Sequence, residues 1–117
     1  MNSPVEKLTL RQKQSQFVWM IAELIQFAKI NGYELTFGDA YRDPRVFGAY
    51  GEKKSYSASL SAHKLRLAVD FNLFQNGRYL TSTESHKKLG EFWKSIGGIW
   101  GGDWNDGNHY SYEEGAS

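Results

Sequence analysis

The sequence contains no cysteine among its 117 residues, and this absence restricts the chemistry available to the chain. Disulfide bonds and thiolate metal sites are excluded, so any bound metal must be held by histidine, aspartate or glutamate. A fold that needs no disulfide tolerates reducing and oxidising compartments alike.

The chain also lacks an excess of charge of either sign and a long apolar run. It has 14 lysines and arginines against 13 aspartates and glutamates, a formal net charge of +1. This balance gives no reason to expect a nucleic-acid partner or an anionic membrane. The most apolar run, residues 17–30, is interrupted by Glu23, Gln26 and Lys29. Because that run is too short and too polar to span a bilayer, we expect no stable membrane association.

The N-terminal segment, residues 1–7, is polar and contains no signal-peptide hydrophobic core. We therefore expect synthesis in the cytoplasm without an export signal. The length of 117 residues favours one domain, with enough buried surface for a core of its own. We expect a single domain over residues 1–117 that acts as a monomer.

Hydrophobic periodicity predicts the first elements of the fold. Apolar residues at helical spacing indicate an amphipathic helix from about Leu10 to Ile30, with Thr9 as its N-cap. Alternating patterns predict strands over residues 33–40 and 67–74. The stretch between them, residues 43–62, shows no firm period, and a long loop in a small domain usually has a function. A short helix after Pro44 is an alternative there.

The C-terminal half predicts a hairpin, a second helix and two short strands. Asn76 and Gly77 form a strong hairpin turn. Thr81 and Glu84 have capping-box spacing and should open a helix that ends near residues 97–98. Residues 99–100 and 109–112 resemble short strands. The pattern predicts an α+β fold, with helices packed on one side of a small antiparallel sheet.

Two short segments carry the candidate chemistry. His63 and Asp70 are seven residues apart, and Asp106 and His109 are three residues apart. Together they offer two imidazoles, one carboxylate ligand and one further carboxylate, the inventory of a mononuclear hydrolytic zinc site. Each segment alone has a simpler interpretation. The first could be an exposed sheet carboxylate with an unrelated loop histidine, and the second a surface turn.

The motifs in combination resemble a known family. Ser-x-His-x-x-x-x-Ala-x-Asp, followed by Trp-Gly-Gly-Asp-Trp and Asp-x-x-His, is similar to the zinc D,D-carboxypeptidase / L-alanyl-D-glutamate endopeptidase family of peptidoglycan peptidases, which includes many bacteriophage endolysins. The resemblance covers about residues 37–110. It implies a phage or prophage lysis enzyme that hydrolyses peptidoglycan stem peptides and reaches the cell wall after the membrane is breached. It leaves open whether the bond cleaved is L-Ala–D-Glu or D-Ala–D-Ala.

The resemblance also implies a role for each motif residue. One Zn²⁺ per chain would be held by His63, Asp70 and His109, with Asp106 as the general base. Ser61 and Arg42 would contact the substrate, and Arg42 would grip a substrate carboxylate or the oxyanion of the tetrahedral intermediate. An alternative for Arg42 is a surface ion pair with a neighbouring aspartate.

Two positions depart from the family pattern. Arg66 stands where the family usually has glycine, which costs energy if that position needs a positive φ. Ser111 follows the last motif histidine closely, where family members often carry an acid. Because of these departures, one alternative to a peptidase is a non-catalytic zinc-containing wall-binding module with a degenerate site. A second alternative is a metal-free interaction domain. We expect His86, beside two lysines, to be solvated, and the C-terminal aromatic residues to lie mostly in the core.

Overall fold

The structure, a computed structural model, describes residues 7–38 and 65–112 of the chain. This part folds as two α-helices and a five-stranded antiparallel sheet, which confirms the predicted α+β class. In chain order the elements are α1 (Leu10–Ile30), β1 (Glu34–Phe37), β2 (Ala68–Gln75), β3 (Arg78–Leu80), a 3-10 turn (Glu84–His86), α2 (Lys87–Ser95), β4 (Ile99–Trp100), a second 3-10 turn (Gly101–Trp104) and β5 (His109–Ser111). The short helix predicted after Pro44 lies outside the described residues.

Helix α1 begins and ends where its sequence pattern predicts. The Thr9 side chain accepts a hydrogen bond from the backbone N–H of Gln12, and the Gln12 side chain accepts one from the Thr9 N–H. This reciprocal box satisfies two backbone donors that a helix start otherwise leaves without a partner. At the other end the Asn31 N–H donates to Phe27 O at 3.0 Å. Neither helix in the described ranges is long and apolar enough to cross a membrane.

Strand β2 is the centre of the sheet, and both of its edges are paired. Strand β1 pairs along one edge, from Glu34 opposite Phe74 to Phe37 opposite Phe71. Strands β5 and β3 share the other edge, with β5 beside residues 68–70 and β3 beside residues 73–75. Strand β4 extends the sheet beyond β5. The shared edge therefore has a gap between β3 and β5, level with residue 72.

The core lies between the sheet and the two helices. Inward-facing residues of β2 alternate as predicted, and Val69, Phe71 and Leu73 are buried. Trp93 of α2 is fully buried and meets Phe17 of α1 edge to face, with ring centroids 6.0 Å apart. These contacts join both helices to the same face of the sheet.

The second helix starts differently from its predicted capping box. Thr81 and Glu84 do not form the box. Instead the Ser85 N–H donates to Ser82 Oγ at 3.1 Å and Ser85 Oγ donates to Ser82 O at 2.7 Å. A 3-10 turn follows before α2 begins, and Thr83 Oγ1, just before this turn, accepts a hydrogen bond from the Gly107 N–H. The predicted cap at Thr81 was therefore wrong, although the helix itself is present and begins at Lys87.

Candidate active site

Asp70 and His109 are direct cross-strand partners in the pairing of β2 with β5. Directly opposed residues point to the same side of a sheet, so the two side chains meet. His109 Nδ1 lies 3.3 Å from Asp70 Oδ1, and the two side chains are 1% and 15% exposed. Two of the three predicted zinc ligands, from distant parts of the sequence, are thus brought together in a site that is largely closed to solvent.

The donor pair fits a zinc ion. Two donors bound to tetrahedral zinc at ordinary nitrogen and oxygen distances are about 3.4 Å apart. The observed Nδ1–Oδ1 separation of 3.3 Å corresponds to this spacing. The third predicted ligand, His63, lies outside the described residues, as do Ser61 and Arg42. Within residues 7–38 and 65–112 no group of three histidine, aspartate or glutamate side chains forms a metal site, so Asp106 does not join the pair as a third ligand.

Asp106 is held in a tight turn that returns the chain into β5. Its N–H donates to Gly101 O at 2.8 Å, and its carbonyl accepts from the His109 N–H at 3.1 Å. The next residue, Gly107, donates its N–H to Thr83 Oγ1 at 3.1 Å. A Cβ at Gly107 would lie 2.6 Å from Thr83 Cα, so only glycine permits this approach. The tight turn predicted from the sequence is confirmed, and its backbone is fixed from both sides.

The Asp106 side chain is half-buried and lines a cleft of about 170 Å³. The cleft lies at the gap between β3 and β5. Asp103, the other acid in this region, has a different environment. It is exposed and forms an ion pair with Lys94, with Nζ and Oδ1 3.2 Å apart. Of the two acids, Asp106 is therefore the one that lines the cleft, together with Asn72 and Asn108, which are close in sequence to Asp70 and His109.

His86 is buried, so its predicted solvation was wrong. The residue is 2% exposed, and its Nδ1 lies 2.9 Å from the hydroxyl of buried Tyr110. Burial lowers the pKa of His86 to about 4, although the negative charge of Asp106 acts in the opposite direction. Burial also raises the pKa of Tyr110 above its ordinary value. The sequence carried a signal for this burial, because His86 precedes Leu89 by three residues and extends the apolar face of α2.

The C-terminal aromatic residues divide between the core and the site. Trp100 and Tyr110 are buried, as the sequence predicts. Trp104 is 44% exposed, and its ring centroid lies 5.9 Å from that of His109. Trp104 therefore borders the candidate metal pair at the protein surface.

Arg66 has a left-handed backbone conformation, with φ of 59°. A side chain at this φ is strained, because its Cβ crowds the following carbonyl oxygen. Glycine, which the family resemblance leads us to expect at this position, would adopt this φ without strain. The side chain of Arg66 is exposed, so the departure places strain in the backbone just before β2 without placing a side chain in the core.

We expect Arg66→Gly to raise the free energy of unfolding by about 1 kcal/mol, because glycine adopts positive φ without strain. Urea denaturation followed by circular dichroism measures this. Arg66→Ala is the matched control, since it removes the same side chain but keeps a Cβ. If the glycine variant were no more stable than the alanine variant, backbone strain at residue 66 would be refuted.

Comparison with known proteins supports the interpretation of these motifs as those of a peptidase. A family model described as D-alanyl-D-alanine carboxypeptidase matches residues 55–112, about half of the chain. A comparison with curated proteins gives no match. The matched segment contains the positions of both motifs, from His63 to His109, but begins after Arg42. The match supports the peptidase family that the motifs indicate.

Proposed function

Proceeding from the match to the D-alanyl-D-alanine carboxypeptidase family, we propose that the protein is a zinc-dependent peptidase acting on peptidoglycan stem peptides. The observation that carries the proposal is the contact between His109 Nδ1 and Asp70 Oδ1 at 3.3 Å, inside the matched segment. A surface turn, the simpler interpretation of the segment with Asp106 and His109, gives no reason for His109 to be buried and opposed in register to Asp70. In this proposal Asp106, on the turn that leads into β5, supplies the further carboxylate of the site.

In this proposal each residue has a defined task. His63, Asp70 and His109 would hold the zinc ion. Zinc, when bound, polarises the scissile carbonyl and lowers the pKa of water. Asp106 accepts the proton of the attacking water and delivers it to the leaving amine, which is general base catalysis followed by general acid catalysis. Arg42 and Ser61 position the substrate, and Arg42 pairs with a carboxylate or the developing oxyanion.

The two departures from the family pattern do not remove a group that this mechanism needs. The backbone at Arg66 adopts the positive φ that glycine would adopt, so the chain still enters β2 with Asp70 in register. Ser111 is buried in β5 and accepts a hydrogen bond from Trp93 Nε1 through its carbonyl. Because Asp106 is also present, the arrangement favours an enzyme over a degenerate wall-binding module.

Digestion of purified sacculi tests the proposed activity. The zinc-loaded protein should release stem-peptide fragments, and mass spectrometry of the products identifies the bond cleaved. Released fragments that begin with D-Glu indicate an endopeptidase that leaves L-Ala on the glycan, whereas loss of a terminal D-Ala indicates a carboxypeptidase. If sacculi and soluble stem peptides both remain intact, the proposed function is wrong.

We expect one zinc ion per chain and its loss in His109→Ala. The reason is that removing one of three ligands leaves a site that cannot hold the metal against water. Elemental analysis of protein purified without added metal measures the content. Asp103→Ala is the matched control, because this exposed acid pairs with Lys94 and should leave the zinc content unchanged. Wild-type protein that is metal-free and cannot be loaded with zinc would contradict the ligand assignment.

A further inference from the structure

The cleft beside Asp106 results from the way in which two strands share one edge of β2. Strand β3 ends its pairing at Leu80 opposite Leu73, and β5 begins at His109 opposite Asp70. The space between them is lined by residues of β2 and β3, by the segment that contains the first 3-10 turn, and by the turn at residues 105–108. At about 170 Å³ it has room for a small side chain of a substrate and not for a whole peptide.

His86 is a buried polar side chain in the lining, and the proposed mechanism does not use it. The Tyr110 hydroxyl is fully buried and lies 2.9 Å from His86 Nδ1. A buried hydroxyl proton needs an acceptor, and Nδ1 supplies one. A neutral imidazole has one donor and one acceptor nitrogen, so a hydrogen bond accepted at Nδ1 places the proton on Nε2.

The Nε2–H group of His86 can donate a hydrogen bond to a molecule bound in the cleft. Nε2 makes no hydrogen bond to residues in the two described ranges, although His86 lines the cleft. Desolvation keeps the ring in its neutral form, with a pKa of about 4. His86 therefore presents one fixed N–H group, and its direction is set by the contact with Tyr110.

The rest of the lining decides which substrate group fits. Apart from Asp106, the polar lining side chains are neutral amides, hydroxyls and the His86 ring; those with amides or aliphatic hydroxyls are Asn72, Thr81, Thr83, Asn105 and Asn108. A substrate carboxylate in the cleft would lie close to the Asp106 carboxylate and be repelled. A carboxamide has a carbonyl that can accept from His86 and an NH₂ that can donate to the amide and hydroxyl oxygens.

We propose that this cleft is a specificity subsite for a neutral carboxamide of the substrate, with His86 Nε2–H donating to the carboxamide oxygen. The proposal rests on the proposed peptidase function, since it assigns a subsite of the same active site. His86 is a specificity-determining residue in this scheme, and the proton transfers of the reaction remain with Asp106. The chain would thus prefer stem peptides that carry an amidated side chain near the scissile bond.

The first test measures the tautomer of His86 and needs no peptidase activity. The chain has 3 histidines, so ¹⁵N-histidine labelling and long-range ¹H–¹⁵N spectra separate them readily. The spectrum of His86→Gln identifies the His86 signals by their disappearance. We expect a protonated Nε2 and an unprotonated Nδ1 at neutral pH, and a mixture of tautomers in Tyr110→Phe. A protonated Nδ1 in the wild-type protein would overturn the proposal.

The second test uses two peptides that differ only in a carboxamide or a carboxylate beside the scissile bond. In His86→Gln the amide nitrogen replaces Nε2, whereas in His86→Asn it replaces Nδ1. We expect the wild-type protein and His86→Gln to prefer the carboxamide peptide. In His86→Asn the KM for this peptide should rise about 3- to 10-fold, the usual effect of one neutral hydrogen bond, with kcat nearly unchanged. A preference for the carboxylate peptide, or equal losses in both variants, would refute the subsite.

Calorimetric binding of the two peptides separates this proposal from the proposed function. Binding of the carboxamide peptide that depends on His86, without cleavage, supports the subsite and contradicts the peptidase. Cleavage that is indifferent to the carboxamide supports the peptidase and contradicts the subsite. Thermal melting verifies that both variants fold. If they do not, Tyr110→Phe takes their place, because it removes the donor that fixes the tautomer and should weaken the carboxamide preference.

Discussion

Replacing Asp106 with alanine is expected to lower the rate of stem-peptide hydrolysis by about 10²–10⁴-fold while the fold and the zinc content are kept. The carboxylate is assigned as the base because it lines the cleft and does not join Asp70 and His109 in a metal-binding group. Its backbone is fixed by hydrogen bonds to Gly101 and from His109, so the turn should survive loss of the side chain.

Three variants measured together make this prediction specific. Asp70→Ala should lose both zinc and activity, since it removes a ligand. Asp103→Ala should retain both, because its exposed carboxylate is paired with Lys94 outside the cleft. Zinc content, thermal melting and sacculus hydrolysis are scored for each. Loss of zinc from Asp106→Ala would place Asp106 among the ligands, and an unchanged rate in that variant would move the role of base to another acid.

Replacing Trp93 with alanine is expected to cost about 3–5 kcal/mol of unfolding free energy, the usual range for a buried tryptophan. The side chain is fully buried between both helices and the sheet. Its Nε1–H donates to Ser111 O at 2.9 Å and to Ile99 O at 3.1 Å, so two carbonyls of β4 and β5 would lose a donor. Since domains of ordinary stability have about 5–15 kcal/mol in total, this loss should lower the melting temperature severely.

Trp19→Ala is the matched control for Trp93. Trp19 lies on the outer face of α1 and is 72% exposed. Its replacement should change the unfolding free energy by no more than about 0.5 kcal/mol. Thermal and urea denaturation measure both variants. Similar losses in the two would mean that Trp19 is covered in solution, and a small loss in Trp93→Ala would contradict its central place in the core.

Local patterns in the sequence were sufficient to predict most helices, strands and turns of this fold. The period of α1, its Thr9 cap and the Asn76–Gly77 turn are determined by residues within a few positions of one another, and each prediction is confirmed. The start of the second helix was misplaced because Thr81, Ser82 and Thr83 all have capping side chains. Thr83 instead accepts a hydrogen bond from the N–H of Gly107, a contact between distant parts of the chain that local sequence does not reveal.

The candidate site was only partly accessible from sequence. The residue types indicated a hydrolytic zinc site, the resemblance of the motifs to a known family implied a peptidase, and the family match supports that interpretation. Spacing alone could not show that Asp70 and His109 are opposed in register, because the pairing of strands 39 residues apart depends on the whole sheet. His86 was missed because its lysine neighbours suggested solvent, although its position on the apolar face of α2 pointed inward.

The pairing of β2 with β5 has a consequence for folding. His109 Nδ1 and Asp70 Oδ1 are close only in the native register, because a slip of one residue turns a side chain to the other face of the sheet. A slip of two residues would separate them by about 7 Å. A metal ion that binds only the native arrangement stabilises that arrangement by mass action. Bound zinc would then stabilise the native register of the three-residue strand β5. The free energy of unfolding would therefore rise with zinc concentration.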